Sequence, residues 1–353
     1  MRASRNRRGR RMPERALILG SGPLARALVR EVAARPGGRH KVVGLVSEGD
    51  GPALDFGCPV LGTLDDLQRV IVAYRPDCIV IALAERRGRL PVDTLVEARA
   101  RHNIPVEAGT DVYEALTGKL AIESLTPSNV IFSREFRPSA FAQRAARALS
   151  LICAAAGLIV LAPLMALLAA IVKLDSQGPA LFVQDRVGLN GRRFQVYKFR
   201  SMRAASGPRS EWEQDNGDRI TRAGRWLRKF RLDELPQLLN VVRGDMNLVG
   251  PRPHPMSNFE MFVLVSRNTP QHGGQIPYYS LRSSVRPGIT GWAQVRYKYA
   301  NGLDEEIEKL RYDLYYIKHH SLALDLRILL ETVKVVIAGS GVTVSDGLER
   351  SRA

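Results

Sequence analysis

The sequence predicts an α/β protein built as an N-terminal Rossmann-like doubly wound domain, then a re-entrant membrane helix, then a mostly helical α/β catalytic domain. Three observations carry that reading. Short apolar strands alternate with helical stretches around a glycine turn in the first third of the chain. A run of 25 residues, Ala148 to Val172, holds no charge. Beyond it, helical periodicity, turn residues and clustered charges coincide in four dense motifs. The implied boundaries are 1–15 for a basic disordered tail, 16–120 for the first domain and 121–143 for a linker. The membrane helix takes 144–173, the catalytic domain 174–340 and a tail 341–353.

The first domain starts at Arg15-Ala-Leu-Ile-Leu-Gly-Ser-Gly-Pro-Leu-Ala25, which reads as strand, glycine turn and helix. Gly20, Gly22 and Ala25 fit the G-x-G-x-x-A fingerprint of dinucleotide folds, so Gly20 and Gly22 are candidate cofactor-binding positions. Strands follow at Lys41 to Ser47, Asp77 to Ala82 and Ile104 to Glu107, with helices at Leu64 to Ala73 and Val92 to Arg101. Glu48 or Asp50 could serve as the ribose acid, or sit in a solvated loop. No Tyr-x-x-x-Lys follows, so a structural domain and a nucleotide site both stay open.

The uncharged run exceeds the roughly 20 residues that cross a hydrocarbon core. Pro163 in its middle removes a backbone donor and is expected to kink or break the helix. Arg144 and Arg147 precede it and Lys173, Arg186 and Arg192 follow, so both flanks favour the cytoplasmic side. A helix that dips into one leaflet and returns satisfies both.

Lys and Arg total 52 against 35 Asp and Glu, a net charge of +17. Such an excess implies a polyanionic partner: nucleic acid, an anionic membrane face or phosphorylated substrates. No helix-turn-helix or finger signature is present, and the apolar run argues against nucleic acid. The seven arginines within residues 1–15 are not followed by a signal-like apolar core. They suit a solvated tail or adhesion to anionic lipids. The three cysteines, Cys58, Cys78 and Cys153, form no CxxC and no evident zinc pattern.

The C-terminal motifs are Lys198-Phe-Arg-Ser-Met202, the run from Leu227 to Pro253, Arg286-Pro-Gly-Ile-Thr-Gly-Trp-Ala-Gln294 and Lys309-Leu-Arg-Tyr-Asp-Leu-Tyr-Tyr316. Leu235, Leu238, Leu239 and Val242 recur at helical spacing, and Gly244 can end that helix. Pro236 is tolerated only near its start, which puts Asp233 and Glu234 at the N-terminus. There they could cap the helix or act on a phosphate. A carboxylate attacking a diphosphate meets like charge and needs cations around it. Arg228, Arg231, Arg243 and Arg252 lie within 20 residues of Asp233, and Arg252 sits between the prolines of Gly250-Pro-Arg-Pro253.

These motifs resemble the bacterial sugar transferase family, the monotopic polyprenyl-phosphate phosphoglycosyl transferases, from about Arg144 to Gly339. The N-terminal half is similar to the Rossmann-like region of the larger exopolysaccharide glycosylphosphotransferases, notably at Ile104-Pro-Val-Glu107 and Leu116-Thr-Gly-Lys119. The resemblance implies transfer of a phosphosugar from a UDP-sugar to undecaprenyl phosphate with release of UMP, at the cytoplasmic face of the bacterial inner membrane. By the same resemblance Asp233 is the nucleophile that becomes covalently phosphorylated, and Glu234 holds Mg²⁺. Arg228 and Arg252 contact phosphate, Asp313 is a further acidic site position, and Arg286 and Gln294 belong to a nucleotide or phosphate loop. Lys298 stands in place of a family arginine. Partners are then the UDP-sugar, undecaprenyl phosphate and anionic membrane lipids, with no nucleic acid; a homo-oligomer is compatible.

His254 departs from the family, where an acid is common after the GPRP turn. Ala162 replaces a serine of smaller members. Trp292 could stack on uracil or be core; Tyr312, Tyr315 and Tyr316 read as packing or interfacial residues. A membrane-attached NAD-dependent oxidoreductase and a non-catalytic scaffold are the rival readings. Both leave the Asp-Glu and arginine motifs without a role.

Overall fold

The computed structural model describes residues 12–49, 56–83, 89–125, 139–203, 218–256, 278–297 and 303–338, with Val130, Phe132 and Phe136. The chain divides into two compact units, Met1–Pro127 and Ser128–Ala353.

The first unit is a parallel sheet of β1 (Glu14–Leu19), β2 (His40–Ser47), β3 (Val60–Thr63), β4 (Cys78–Ile81) and β5 (Val106–Ala108), in the order β3-β2-β1-β4-β5. Alternation along β1 builds two cores. Ala16 and Ile18 pack with Leu24, Leu28 and Val112 on one face. Leu17 and Leu19 pack with Leu67, Ile71 and Leu95 on the other. A sheet covered on both faces needs strands that are apolar throughout, which is why β1 and β4 read as unbroken apolar runs. Helices α1 (Pro23–Ala33) and α4 (Gly109–Thr117) supply one layer, α2 (Leu67–Tyr74) and α3 (Val92–His102) the other. Strand β3 and helix α4 escaped the sequence reading. Strand β3 is short and holds Gly62, so it carries little strand signal.

In the second unit the apolar run lies within one helix of 36 residues, Ala140–Asp175. It is long and apolar enough to cross a membrane. Pro163 lies inside it and does not end it, so the expected break is not seen. One proline forfeits one ladder bond, whereas the turns on either side keep theirs. The rest of the second unit contacts this helix from Arg147 to Val172. Arg147 donates to the Met246 carbonyl at 3.0 Å, and Ser150 Oγ accepts from the Leu248 amide at 3.1 Å. Ala154 packs against Val196, Leu238 and Val241, and Leu168 and Val172 against Phe199 and Leu227. Arg200 closes the C-terminal end, donating to the carbonyls of Val172 at 3.1 Å and Ser176 at 2.6 Å, where orphan carbonyls welcome a cation. Ile152, Ile159, Val160, Leu167 and Leu174 stay exposed.

Strands β6 (Leu181–Val187) and β7 (Arg193–Phe199) form an antiparallel hairpin. The helix Arg222–Lys229, a 3₁₀ turn Leu232–Glu234 and the helix Gln237–Arg243 follow. Strands β8 (Asn247–Val249) and β9 (Gly288–Thr290) pair in parallel. The helices Trp292–Arg296, Leu303–Lys318 and Leu322–Ala338 complete the unit. The last presents Leu322, Leu326, Leu330, Val333 and Ile337 outward along one side, while Ile328 is buried.

Candidate active site

The Asp-Glu pair is set by a reversal of the chain. Thr221 caps the Arg222–Lys229 helix, accepting from the Gly224 amide at 3.0 Å. That helix ends near Arg228, and Arg231 then adopts a left-handed conformation, φ 54°. A side-chain-bearing residue in that region costs about 1–2 kcal/mol. The turn it makes carries Asp233 and Glu234 into a 3₁₀ segment that runs through Pro236 into the Gln237–Arg243 helix. Gly244, φ 97°, ends that helix as its spacing implied. Asn240 is fully buried and ties the helix to β7: it accepts from the Tyr197 amide at 3.1 Å and donates to the Gln195 carbonyl at 2.6 Å. Satisfied in this way, a buried amide fixes the position of the helix against the strand.

Glu234 is buried, and its Oε1 takes Arg252 Nη2 at 2.9 Å and Lys198 Nζ at 3.3 Å. Burial alone would raise its pKa, but Arg252, Lys198 and Arg231 hold it down at about 2. Glu234 is therefore an anion under all ordinary conditions. Asp233 is shifted the opposite way: burial and the neighbouring Glu234 raise it, against Lys198, Arg228 and Arg252. Two adjacent carboxylates driven apart in this manner take different roles. The Lys198 ammonium is pulled down to about 8 by burial and then by Arg252, with Glu234 opposing.

Arg252 is aimed by the pairing of two motifs. Gly250 donates to the Thr290 carbonyl at 2.9 Å and Gly288 to the Pro251 carbonyl at 3.0 Å. A Cβ on Gly288 would lie 2.1 Å from the Gly250 nitrogen, so only glycine permits this approach.

Behind Arg252 lies a second polar cluster. Arg282 Nη2 is 2.7 Å from Asp313 Oδ2, and Asp313 is only 1% exposed. Arg282 also donates to His254 Nε2 at 2.6 Å and to the Arg252 carbonyl at 3.4 Å. Burial, then Arg282 and Lys309, push His254 well below its usual pKa, so the ring is neutral. Its Nδ1 faces the Tyr279 hydroxyl. Glu306 takes Lys309 at 3.1 Å. This cluster holds the turn that bears Arg252.

The sequence-derived candidates separate accordingly. Asp233, Glu234, Arg228 and Arg252 converge. Asp313 stands behind them, bonded to Arg282. Arg286 donates to the Gly244 carbonyl at 3.2 Å, at the far end of the Gln237–Arg243 helix, and Arg243 meets the Tyr197 hydroxyl at 2.5 Å. Gln294 donates to the Ile289 carbonyl at 2.8 Å, within its own loop. Lys298 lies outside the described residues, as does Asp50. Trp292 is buried, with Arg296 4.3 Å over its ring, and Tyr312 and Tyr316 are buried as packing residues. Gly20, φ 120°, is explained by packing, since a Cβ there would lie 2.6 Å from the Ala82 carbonyl oxygen. Gly22 is the N-cap of α1. Glu48 lies 3.6 Å from Arg89.

Sequence reading passed over Lys198, although it stood in a quoted motif. On a strand, Lys198 and Arg200 share a face while Phe199 enters the core, and that alternation was the available signal. Tyr279 and Arg282 lie in no motif, and nothing local marked them.

Residues 141–339 match a family described as bacterial sugar transferase. The chain is 38% identical over 270 residues to a UDP-N-acetylgalactosamine-undecaprenyl-phosphate N-acetylgalactosaminephosphotransferase of Aeromonas hydrophila, covering 76% of this chain and 61% of that protein. It is 32% identical over 340 residues to an undecaprenyl-phosphate glucose phosphotransferase of Komagataeibacter xylinus, covering 92% of this chain and 59% of that one. A UDP-glucose:undecaprenyl-phosphate glucose-1-phosphate transferase of Caulobacter vibrioides is 45% identical over 192 residues, 53% of this chain and 67% of its own length. The chain thus spans about three-fifths of the first two relatives.

Proposed function

The chain belongs to the bacterial sugar transferase family, and from that premise we propose that it transfers a phosphosugar from a UDP-sugar to undecaprenyl phosphate. The observation that carries this reading is Asp233, raised in pKa and poised beside a cation-clamped Glu234 in a ring of Lys198, Arg228 and Arg252.

In the proposed reaction an Asp233 carboxylate oxygen attacks the sugar-bearing phosphorus of the donor. The bond from that phosphorus to the bridging oxygen breaks, and UMP leaves with the electron pair. A phosphate oxygen of undecaprenyl phosphate then attacks the same phosphorus. The acyl phosphate bond breaks, Asp233 is regenerated as a carboxylate, and the lipid diphosphate sugar departs. Two displacements replace one difficult transfer. Arg252, Arg228 and Lys198 offset the charge that builds on the phosphoryl oxygens.

The donor set fits Mg²⁺, which takes one or two carboxylates and completes its shell with water and substrate phosphates. Asp233 and Glu234 offer two carboxylates on one turn, and both cations bound to Glu234 fall on Oε1, leaving Oε2 as a donor. When bound, the ion would neutralise diphosphate charge.

The site's position suits a monotopic enzyme at the cytoplasmic face of the inner membrane. The contacts from Arg147 to Val172 tie the apolar helix to one catalytic unit along its length, which favours a helix embedded from one side. Its exposed Ile152, Ile159, Val160 and Leu167 would face lipid, and the outward stripe of the Leu322–Ala338 helix would lie at the interface with anionic headgroups. The strand order of the first unit supports a Rossmann-like domain.

The test is UMP release by the purified protein from a panel of UDP-sugars with Mg²⁺ and undecaprenyl phosphate. Release that requires the lipid is expected; the relatives named for N-acetylgalactosamine and glucose put those two donors first. No release from any UDP-sugar would sink the reading.

A pH profile follows from the same groups. Activity falls on the acid side as Asp233 takes up a proton, above the ordinary aspartate range. It falls on the alkaline side near pH 8 as Lys198 loses its charge. Lys198→Arg keeps its charge throughout, so the alkaline limb of kcat/KM should move upward. An unmoved limb would acquit Lys198.

A further inference from the structure

At the N-terminal edge of the five-stranded sheet three neighbouring strands each begin with a metal-ligating residue: Glu14 on β1, His40 on β2 and Cys78 on β4. Glu14 pairs with His40 in register, and Cys78 pairs with Ala16. Residues 14 and 16 lie on the same face of β1, because side chains alternate. The three donor atoms lie within 4.8 Å of one another. His40 and Cys78 are buried, whereas Glu14 is partly exposed.

The spacing is the informative quantity. His40 Nδ1 lies 3.8 Å from Glu14 Oε2 and 3.7 Å from Cys78 Sγ. The first is too long for an N–H···O hydrogen bond. Both are close to the separations of ligands on one tetrahedral zinc, about 3.4 Å for N···O and about 3.6 Å for N···S from the usual bond lengths. We propose that Glu14, His40 and Cys78 form a zinc site, with the fourth position open to water. A thiolate, an imidazole and a carboxylate together suit Zn²⁺ better than a hard cation such as Mg²⁺.

The surroundings fit this assignment. Arg39 Nε donates to Glu14 Oε2 at 3.1 Å and Arg39 Nη2 to Glu107 Oε1 at 2.9 Å, which orients the carboxylate from outside. The ion would tie together the starts of β2, β1 and β4, strands that are far apart in sequence. Its role is structural and independent of the transfer reaction.

Cobalt substitution tests it directly. The full-length protein is stripped with a chelator and titrated with Co²⁺. The near-ultraviolet sulfur-to-cobalt charge-transfer band and the visible absorption of tetrahedral Co²⁺ should appear with one equivalent, apart from any cobalt held elsewhere, and Zn²⁺ should bleach both. The band needs sulfur, so cobalt held by Asp233 and Glu234 could not produce it. Cys78→Ser should abolish it, while Cys58→Ser and Cys153→Ser should keep it. Glu14→Gln, which alters a partly exposed residue, should weaken Co²⁺ binding by at least about 10-fold. Should Cys78→Ser fail to fold, Glu14→Gln decides: Co²⁺ affinity equal to that of the wild type would overturn the proposal. Absence of a charge-transfer band in the wild type, or its survival in Cys78→Ser, would overturn the proposal.

Discussion

Replacing Asp233 with Asn is expected to lower lipid-dependent UMP release by at least about 10³-fold, because the variant lacks the proposed covalent nucleophile and with it the proposed two-step route. Asn keeps the shape and volume of the side chain, and it occupies a 3₁₀ turn held by the Glu234 and Leu235 amides, which donate to the carbonyls of Arg231 and Leu232. The fold should therefore survive. The same substitution should abolish a phosphosugar adduct detectable by mass spectrometry after the donor is mixed with enzyme lacking lipid acceptor. An adduct that persists in the variant would place the nucleophile elsewhere. Glu234→Gln tests a different function. Its carboxylate anchors Arg252 and Lys198, so that variant should retain a slow adduct-forming step.

Asp313→Ala should be the most damaging change for stability. Asp313 and Arg282 form a 2.7 Å ion pair with both side chains buried. Removing one member leaves an uncompensated charge in the interior, a loss of about 3–5 kcal/mol. Thermal unfolding in detergent should show a correspondingly lower midpoint. A double replacement, Asp313→Leu with Arg282→Met, should recover most of that stability, since an apolar pair of similar volume packs without a desolvation cost. It should not recover activity, because Arg282 also donates to His254 and to the Arg252 carbonyl. A double variant with full activity would show that the second cluster has no part in aiming Arg252.

These two substitutions separate what was legible in the chain from what was not. Asp233 and Glu234 could be placed at a helix start because Pro236 and Gly244 bracket a periodic apolar run, and such signals are local. The apolar helix was equally plain, since 25 uncharged residues have few soluble fates. Strands β1 and β4 were legible as apolar runs bounded by turn residues. Asp313 carried the opposite kind of information. Its motif marked it as acidic and placed it near the site, but its partner is Arg282, which lies in no motif.

His254 makes the same point. In sequence it is a departure after a proline turn. In the fold it is a neutral ring bonded to Arg282 and facing Tyr279. Arg243 looked equivalent to Arg252 by charge and proximity, yet it meets the Tyr197 hydroxyl, and Arg286, placed by resemblance in a phosphate loop, donates to the Gly244 carbonyl at the far end of a seven-residue helix. Pro163 predicted a kinked or broken helix, whereas the helix continues through it with packing contacts to the second unit on both sides.

By itself the sequence determined strands β1 and β4, the apolar helix and the position of the acidic pair, because each depends on residues within one or two turns of one another. Only the tertiary structure decided which cations face Glu234, which arginine is aimed at the site, and which of two adjacent carboxylates is driven up in pKa. Those outcomes depend on burial and on partners brought from distant segments, such as Lys198 on β7 and Arg252 after β8, and a charge acquires a role only when its neighbours and its solvent are set.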